Sequence, residues 1–551
     1  MFALNRRQFI TGCSTGIAVA SMGISRHALA KTQPRQAHYQ PILRGNQFQL
    51  TVGRQDINFT GKTRQAVTVN GSTPAPTLYM KEGETVTIDV YNQLHEDSSI
   101  HWHGLLVPSN MDGVPHLSFA GIKPQQSFRY QFPLKQSGTY WYHSHSGWQE
   151  QLGMYGALII EPAEGDPIKA DREHVLILSD WTDDNPANIL RFLKSESDFD
   201  NYQQPTFEEL WHDIRQFGLK RAFAKRQMWS QMRMSPTDFS DLSGVTTFTY
   251  LLNGSTSAAN WTALFNRGET VRLRIINASA QSIFDFRIPE LDMTVVGTDG
   301  GLVEPVTVDE IRIGVAETYD VLVKPQADAY TLFAQDIARS GFISGTLAVQ
   351  QGLSAPIPAI DKAEWLTMTD MMGDMQGDAP AHHAHTEYSW TTDMRVDYPR
   401  TNLDDAGINL RDNGRKVLTY ADLYSFDELR DNEEEPTREI EMHLTGNMER
   451  YVWGFDGVPY PEAKPVHIGV NERLRISLVN DTMMTHPMHL HGMWSDLRCP
   501  NGGLQVRKHT ILVQPAQKVS FDVTGEQGRW AWHCHLAYHM ESGMFREVVV
   551  D

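Results

Sequence analysis

Gly83-Glu84-Thr85-Val86-Thr87-Ile88-Asp89-Val90-Tyr91-Asn92 decides how the rest of the chain is read, because it returns twice. Gly268-Glu269-Thr270-Val271-Arg272-Leu273-Arg274-Ile275-Ile276-Asn277 is the second copy, and Asn471-Glu472-Arg473-Leu474-Arg475-Ile476-Ser477-Leu478-Val479-Asn480 the third. Each alternates apolar and polar residues after a turn, the pattern of a half-buried strand. Each follows another turn at a similar interval: Asn70-Gly71, Asn253-Gly254 and Asp456-Gly457. Each unit closes on an aromatic strand: Thr139-Tyr140-Trp141-Tyr142, Tyr330-Thr331-Leu332-Phe333 and Arg529-Trp530-Ala531-Trp532. The copies begin 185 and 203 residues apart, far beyond solenoid repeats, so they are whole domains. Many short strands with Gly/Pro turns predict an all-β chain of three β-sandwiches. The expected boundaries are 38–165, 170–352 and 436–551, with a linker over 353–435 rich in Met, His, Pro and acids. One helical insertion is expected around Phe207 to Met234.

Composition narrows the class. The chain has 551 residues, 40% hydrophobic and 21% charged, which excludes collagen-like, largely disordered and polytopic membrane proteins. Its net charge of −19 repels nucleic acid and attracts cations. Residues 1–30 resemble a twin-arginine export signal: Arg6-Arg7 precede a mild apolar stretch that ends in Ala28-Leu29-Ala30, an A-x-A cleavage site. The stretch is shorter than the roughly 20 residues a span needs, so the mature protein is expected to be exported to the periplasm without a membrane span. Cys13 leaves with the leader. Cys499 and Cys534 remain, too few for a disulfide scaffold, and Cys499 is expected to be a free thiol.

Ten of the 22 histidines fall in four clusters: His101-Trp102-His103, His143-Ser144-His145, His486-Pro487-Met488-His489-Leu490-His491 and His533-Cys534-His535 with His539. A lone histidine is more often a satisfied core or surface residue than a ligand. Pairs at i, i+2 are different, because a strand puts both on one face. They also fall in register. His101 lies nine residues after Asn92, and His489 nine after Asn480, so His103 matches His491. Aligning Gly138 with Gly528 matches His143 with His533 and His145 with His535. The middle copy has Phe286, Ile288, Ala334 and Asp336 at those positions and is expected to bind no metal this way. Eight imidazoles shared by the first and third copies exceed one metal's needs, so the cluster is read as polynuclear.

The third copy selects the metal. Cys534 replaces Ser144, His539 replaces Gln149, His486 stands where Ser98 stood, and Met544 follows ten residues after Cys534. Two imidazoles, a thiolate and a distant thioether describe a blue-copper electron-transfer site. Zinc cannot cycle and has no use for a weak thioether. Cys534 points to one face of its strand and His533 and His535 to the other, a short covalent route between two centres.

These motifs resemble multicopper oxidases, and more closely the bacterial copper-resistance protein A family. The further marks are Arg54-Gln55-Asp56-Ile57-Asn58-Phe59-Thr60-Gly61, Asn110-Met111-Asp112-Gly113-Val114-Pro115, Gln136 through Gly147, and Met540-Glu541-Ser542-Gly543-Met544. The resemblance implies three cupredoxin-like Greek-key domains and four copper ions: one type 1, one type 2 and two type 3. Carried over by motif, His486, Cys534 and His539 bind type 1 copper with Met544 axial, and His101 and His489 bind type 2. His103, His143 and His535 bind one type 3 copper, and His145, His491 and His533 the other. The implied reaction is one-electron oxidation of Cu(I), with phenols as side substrates and Fe(II) open as a donor, coupled to four-electron reduction of O2 to water. A sequestering protein with incidental oxidase activity is the alternative.

Asp112 and Glu541 are the candidate proton carriers, with a turn role competing for Asp112. Met368, Met371, Met372 and Met375, with His382, His383 and His385, are candidate donors to a substrate copper, with Asp370 and Asp374 offsetting its charge. Gly373, Gly377 and Pro380 speak against a packed helix there. Met228, Met232 and Met234, at near-helical spacing, are read as core. The Met/His segment is shorter than the repeated arrays of many family members, which argues against a large storage capacity.

Overall fold

The computed structural model describes residues 40–201, 205–232, 240–374, 380–426 and 435–551. Residues 1–39, Met234 and Met375 lie outside the described residues, as do the side chains of Met228 and Met232. The described strands form six sheets, two for each copy of the repeat. The first copy pairs a five-stranded sheet, which holds His101–His103 at its edge beside Gly138–His143, with a four-stranded sheet around Gln47–Ile57 and Thr85–Asn92. Val86, Ile88 and Val90 on the quoted strand are buried, and Thr85 is exposed. They meet Leu78, Leu158 and Ile160 of the other sheet in one core. The second and third copies each pair a six-stranded with a five-stranded sheet.

Strand register repeats with the sequence. His101 lies opposite His143 in the first copy, and His489 opposite His533 in the third. In the middle copy Phe286 lies opposite Ala334. The same backbone position is thus filled by imidazole pairs at both ends of the chain and by a packed Phe/Ala pair in the middle.

The helical insertion consists of two helices, Phe207–Phe217 and Leu219–Met232, broken at Gly218 with φ 81°. Thr206 and Glu209 form a reciprocal cap at its start. A helix at Pro186–Ser195 escaped the sequence reading; Asn185 caps it and Pro186 fills its first position. The linker also departs from expectation. Met368–Met372 is a short helix whose Thr367 and Asp370 cap each other and whose Gly373, at φ 69°, ends it. Gly373 therefore terminates a helix rather than preventing one. Among the described residues no helix is long and apolar enough to cross a membrane.

Candidate metal centres

Two groups of buried histidines stand out, and the first forms where the first and third copies meet. His101, His103 and His489 gather ligand atoms in one place, His103, His143 and His535 in a second, and His145, His491 and His533 in a third, each set within 4.8 Å. The outer nitrogens fix the tautomers. His101 Nδ1–H donates to the Asp112 carbonyl at 2.8 Å, His489 Nδ1–H to the His509 carbonyl at 2.6 Å, and His533 Nδ1–H to the Cys534 carbonyl at 3.0 Å. His491 Nδ1–H donates to Asp112 Oδ2 at 2.8 Å, and His143 Nδ1 lies 2.8 Å from Glu150 Oε2. Each Nε2 lone pair therefore faces inward. His103 is reversed: Nε2 meets His509 Nδ1 and Thr510 Oγ1, both at 3.2 Å, and Nδ1 is the free atom.

The inward atoms satisfy nothing in the protein. His101 Nε2, His143 Nε2, His489 Nε2 and His535 Nε2 are buried without a hydrogen bond. His533 Nε2 sits 3.1 Å from His491 Nε2 and 3.3 Å from His145 Nε2. Lone pairs that close repel unless a cation lies between them, and protons are a poor answer here. Burial holds the His533 imidazole down at about 4 and His143, His145 and His491 well below their usual range, with neighbouring imidazoles adding to it. Neutral, convergent, preorganised imidazoles fit copper.

The second group lies within the third copy. Cys534 Sγ is 3.6 Å from His486 Nδ1 and 3.8 Å from His539 Nδ1, and these nitrogens are 3.1 Å apart. Thr482 Oγ1 holds His486 Nε2 at 2.7 Å, and Asp241 Oδ2 holds His539 Nε2 at 2.8 Å. Burial pushes the Cys534 thiol up, so a bound cation must displace its proton. Trp453 stacks on His539 at 4.0 Å between centroids. Met544 is fully buried beside this group, and its carbonyl accepts from the Cys534 N–H. The donor chemistry of two imidazoles and a thiolate again fits copper.

Sequence reasoning missed Glu150, Asp241 and His509. Glu150 lies five residues after His145 and was legible as a nearby acid, but only the fold turns it onto His143. Asp241 reaches His539 from the middle copy, and nothing local marks it. Asp112 and Glu541 are both near the histidines in different ways. Asp112 is bonded to His491 and lies 3.3 Å from His101 Nδ1. Glu541, raised by burial, lines a cavity of about 430 Å³ with Glu150, His145 and His535.

The Met/His segment does not gather. Met371 is packed in the core, whereas Met368 and Met372 are exposed. Asp370 is committed to Arg411 at 2.6 Å and does not stand free to balance a cation. His382 and His385 are exposed, and His383 turns into a separate group described below. Cys499 and Cys534 are both free thiols.

Three family models, each described as multicopper oxidase, match residues 51–165, 172–351 and 433–551. The chain belongs to the multicopper oxidase family, whose members are copper-containing oxidoreductases that use O2. It is 48% identical to copper resistance protein A of Escherichia coli, covering 99% of both chains, and 46% identical to that of Pseudomonas syringae pv. tomato, again over 99% of each. Multicopper oxidase MmcO of Mycobacterium tuberculosis is 28% identical over 89% of this chain and 84% of its own. The fold is that of Fet3p, a multicopper oxidase that functions in iron import, with TM-score 0.65, 21% identity and coverage of 92% and 90%. The laccase from Botrytis aclada superposes with TM-score 0.62 at 19% identity, covering 93% and 88%. The three sandwiches are cupredoxin-like.

Proposed function

We propose that the chain oxidises Cu(I), one electron at a time, at the His486–Cys534–His539 group and reduces O2 to water at the eight-histidine group, in the service of copper resistance. The observation that carries the reading is the shared strand: Cys534 belongs to one group and its covalent neighbours His533 and His535 to the other. The similarity to copper resistance protein A at 48% identity supports the physiological role. Four coppers, when bound, would supply one-electron redox chemistry at the Cys534 group and multi-electron O2 reduction at the eight-histidine group. His486, Cys534, His539 and Met544 would hold type 1 copper; His101 and His489 type 2; His103, His143, His535 and His145, His491, His533 the type 3 pair.

The chain's own groups do the rest. Thr482 and Asp241 fix the outer imidazole nitrogens of His486 and His539. Asp241 also accepts from Tyr451 Oη at 3.0 Å and from Gln281 Nε2 at 2.8 Å, which aims its carboxylate at His539. Asp112 orients His491 and His101, and with Glu541 it is the proton carrier we assign to O2 reduction. Met368 and Met372 are the soft exposed donors left to receive Cu(I). The leader over residues 1–30 directs twin-arginine export to the periplasm in this reading, and the domains run over 38–165, 170–352 and 436–551.

The deciding experiment compares O2 uptake by copper-loaded protein given Cu(I), Fe(II) or a phenol, beside Cys534→Ser. A hydroxyl supplies neither thiolate charge transfer nor the electron route. The variant is expected to lose the blue absorption and all turnover while still binding copper at the histidine cluster. A blue, active Cys534→Ser protein would sink the assignment, and copper binding by the wild type without O2 uptake would mark a sequestering protein instead.

A further inference from the structure

A second kind of metal-ligating cluster shares no residue with either histidine group. His383 and Glu387 come from the linker, His443 from the strand Arg438–Asn447, and Asp481 from the end of the strand Arg473–Asn480. Their four ligand atoms lie within 4.8 Å of one another. The side chains are 5%, 0%, 2% and 0% exposed in that order. His383 Nδ1 is 2.8 Å from Glu387 Oε2, and His443 Nδ1 is 2.7 Å from Asp481 Oδ2. The cross distances, His383 Nδ1 to Asp481 Oδ2 and His443 Nδ1 to Glu387 Oε2, are 3.6 and 3.5 Å. Two nitrogens and two oxygens thus face a common centre.

We propose that these four residues bind one divalent first-row cation, with Cu(II) preferred over Zn(II), and so fasten the linker to the third sandwich. The arrangement is held in place from outside. The second oxygen of each carboxylate accepts a backbone N–H: Glu387 Oε1 from Ala384 at 2.7 Å and Asp481 Oδ1 from Val396 at 2.8 Å. Each ring also has a carboxylate behind it, Asp397 Oδ1 at 3.3 Å from His383 Nε2 and Glu441 Oε1 at 3.5 Å from His443 Nε2. Neither Nε2 makes a hydrogen bond within the protein, so a metal that takes the two Nδ1 lone pairs would send the ring protons to Nε2, on the side of these carboxylates.

Protons are the competing occupants. They need not make two imidazolium rings, because each Nδ1–H can donate to its own carboxylate; against the cost of burial, Asp481, Glu441 and Glu387 hold the His443 imidazole up at about 10, so an incoming cation must displace the protons from both Nδ1 atoms. A dication balances the two carboxylates and leaves both rings neutral. The donor set contains no thiolate or thioether, so it disfavours Cu(I) and suits a borderline divalent ion, among which Cu(II) binds most tightly. Asp397, 73% exposed, stands on the solvent side of His383 and marks the entry.

The site shares no ligand with the oxidase centres, although Asp481 directly precedes Thr482, which holds His486, and its test separates the two. Metal-free full-length protein is titrated with Cu(II), and separately with Co(II), followed by dialysis and elemental analysis. Wild type is compared with Glu387→Gln, which keeps the side chain's shape, and with His383→Ala. Both variants are expected to retain one metal equivalent per chain fewer than wild type, to lose one set of Co(II) d–d bands, and to keep the Cys534-dependent blue absorption. Equal metal content and unchanged Co(II) spectra in Glu387→Gln would overturn the site. Loss of the blue band in either variant with metal content unchanged would likewise overturn the site, because the substitution would then act on the Cys534 group instead.

Discussion

At Asp112 one side chain serves histidines from opposite ends of the chain. Its carbonyl and Oδ1 face His101, and its Oδ2 accepts from His491. Replacing it by Asn keeps one accepting oxygen and turns the other into an NH2 that cannot accept from a histidine N–H, and outer carboxylates of this kind are worth about 10–100-fold. Asp112→Asn is expected to bleach normally with donor and to recover its blue band in O2 about 10–100-fold more slowly, read by stopped flow. Unchanged recovery would leave Asp112 as a turn residue. Gly104 shows the same economy at the backbone. It follows His103 at φ 81°, and a Cβ there would lie 2.4 Å from the His509 ring.

Among the elements, the linker departs furthest from its reading. Its short helix turns Met371 into the core and leaves Met368 and Met372 outside. The double substitution Met368→Leu with Met372→Leu keeps apolar volume and removes the thioethers. It is expected to lower Cu(I) turnover severalfold and leave turnover of a bulky phenol nearly unchanged; equal effects on both donors would reject a delivery role. Arg411 pins this helix by contacting Asp370 and Asp405. Burial alone would raise the Asp405 carboxyl, but Arg411 overcomes it and holds it at about 2. A depressed carboxyl stabilises the fold above its unfolded value of about 4 and loses that contribution as pH falls through about 2. Hydrogen exchange in the linker is therefore expected to accelerate between about pH 4 and 2, and less so in Arg411→Met, which has already lost the pairing.

Across the whole molecule, the middle sandwich contributes more than spacing. Lys508 of the third copy is fully buried against Asp299 at 3.1 Å and Glu317 at 2.9 Å, both from the middle copy. Asp299 Oδ2 also accepts the backbone N–H of His509 and of Thr510, the two residues that meet His103. The middle copy thus braces the wall of a centre to which it gives no ligand. Lys508→Met leaves two buried carboxylates unpaired, which costs about 3–5 kcal/mol. Thermal unfolding should move down accordingly, and copper retention at the eight-histidine group should weaken with it. An unchanged midpoint would show that the interface tolerates the loss.

Local pattern made the strands and the ligand candidates legible. A period-two strand fixes which residues share a face, so His533 and His535 separate from Cys534 wherever the strand is placed. The internal repeat did the rest: equal offsets from Asn92 and Asn480 predicted equivalent positions, and the register of His101 with His143 and of His489 with His533 matches them. What the sequence could not contain was the approach of distant segments. Asp241 lies 298 residues from His539, and Asp112 lies 379 from His491. No periodicity links such pairs, because they are joined by packing between sandwiches rather than along a strand. The linker misled for a related reason. Its Met and His residues are neighbours in sequence, but irregular chain obeys no fixed side-chain direction, and docking alone sent Met371 to the core and His383 to Asp481.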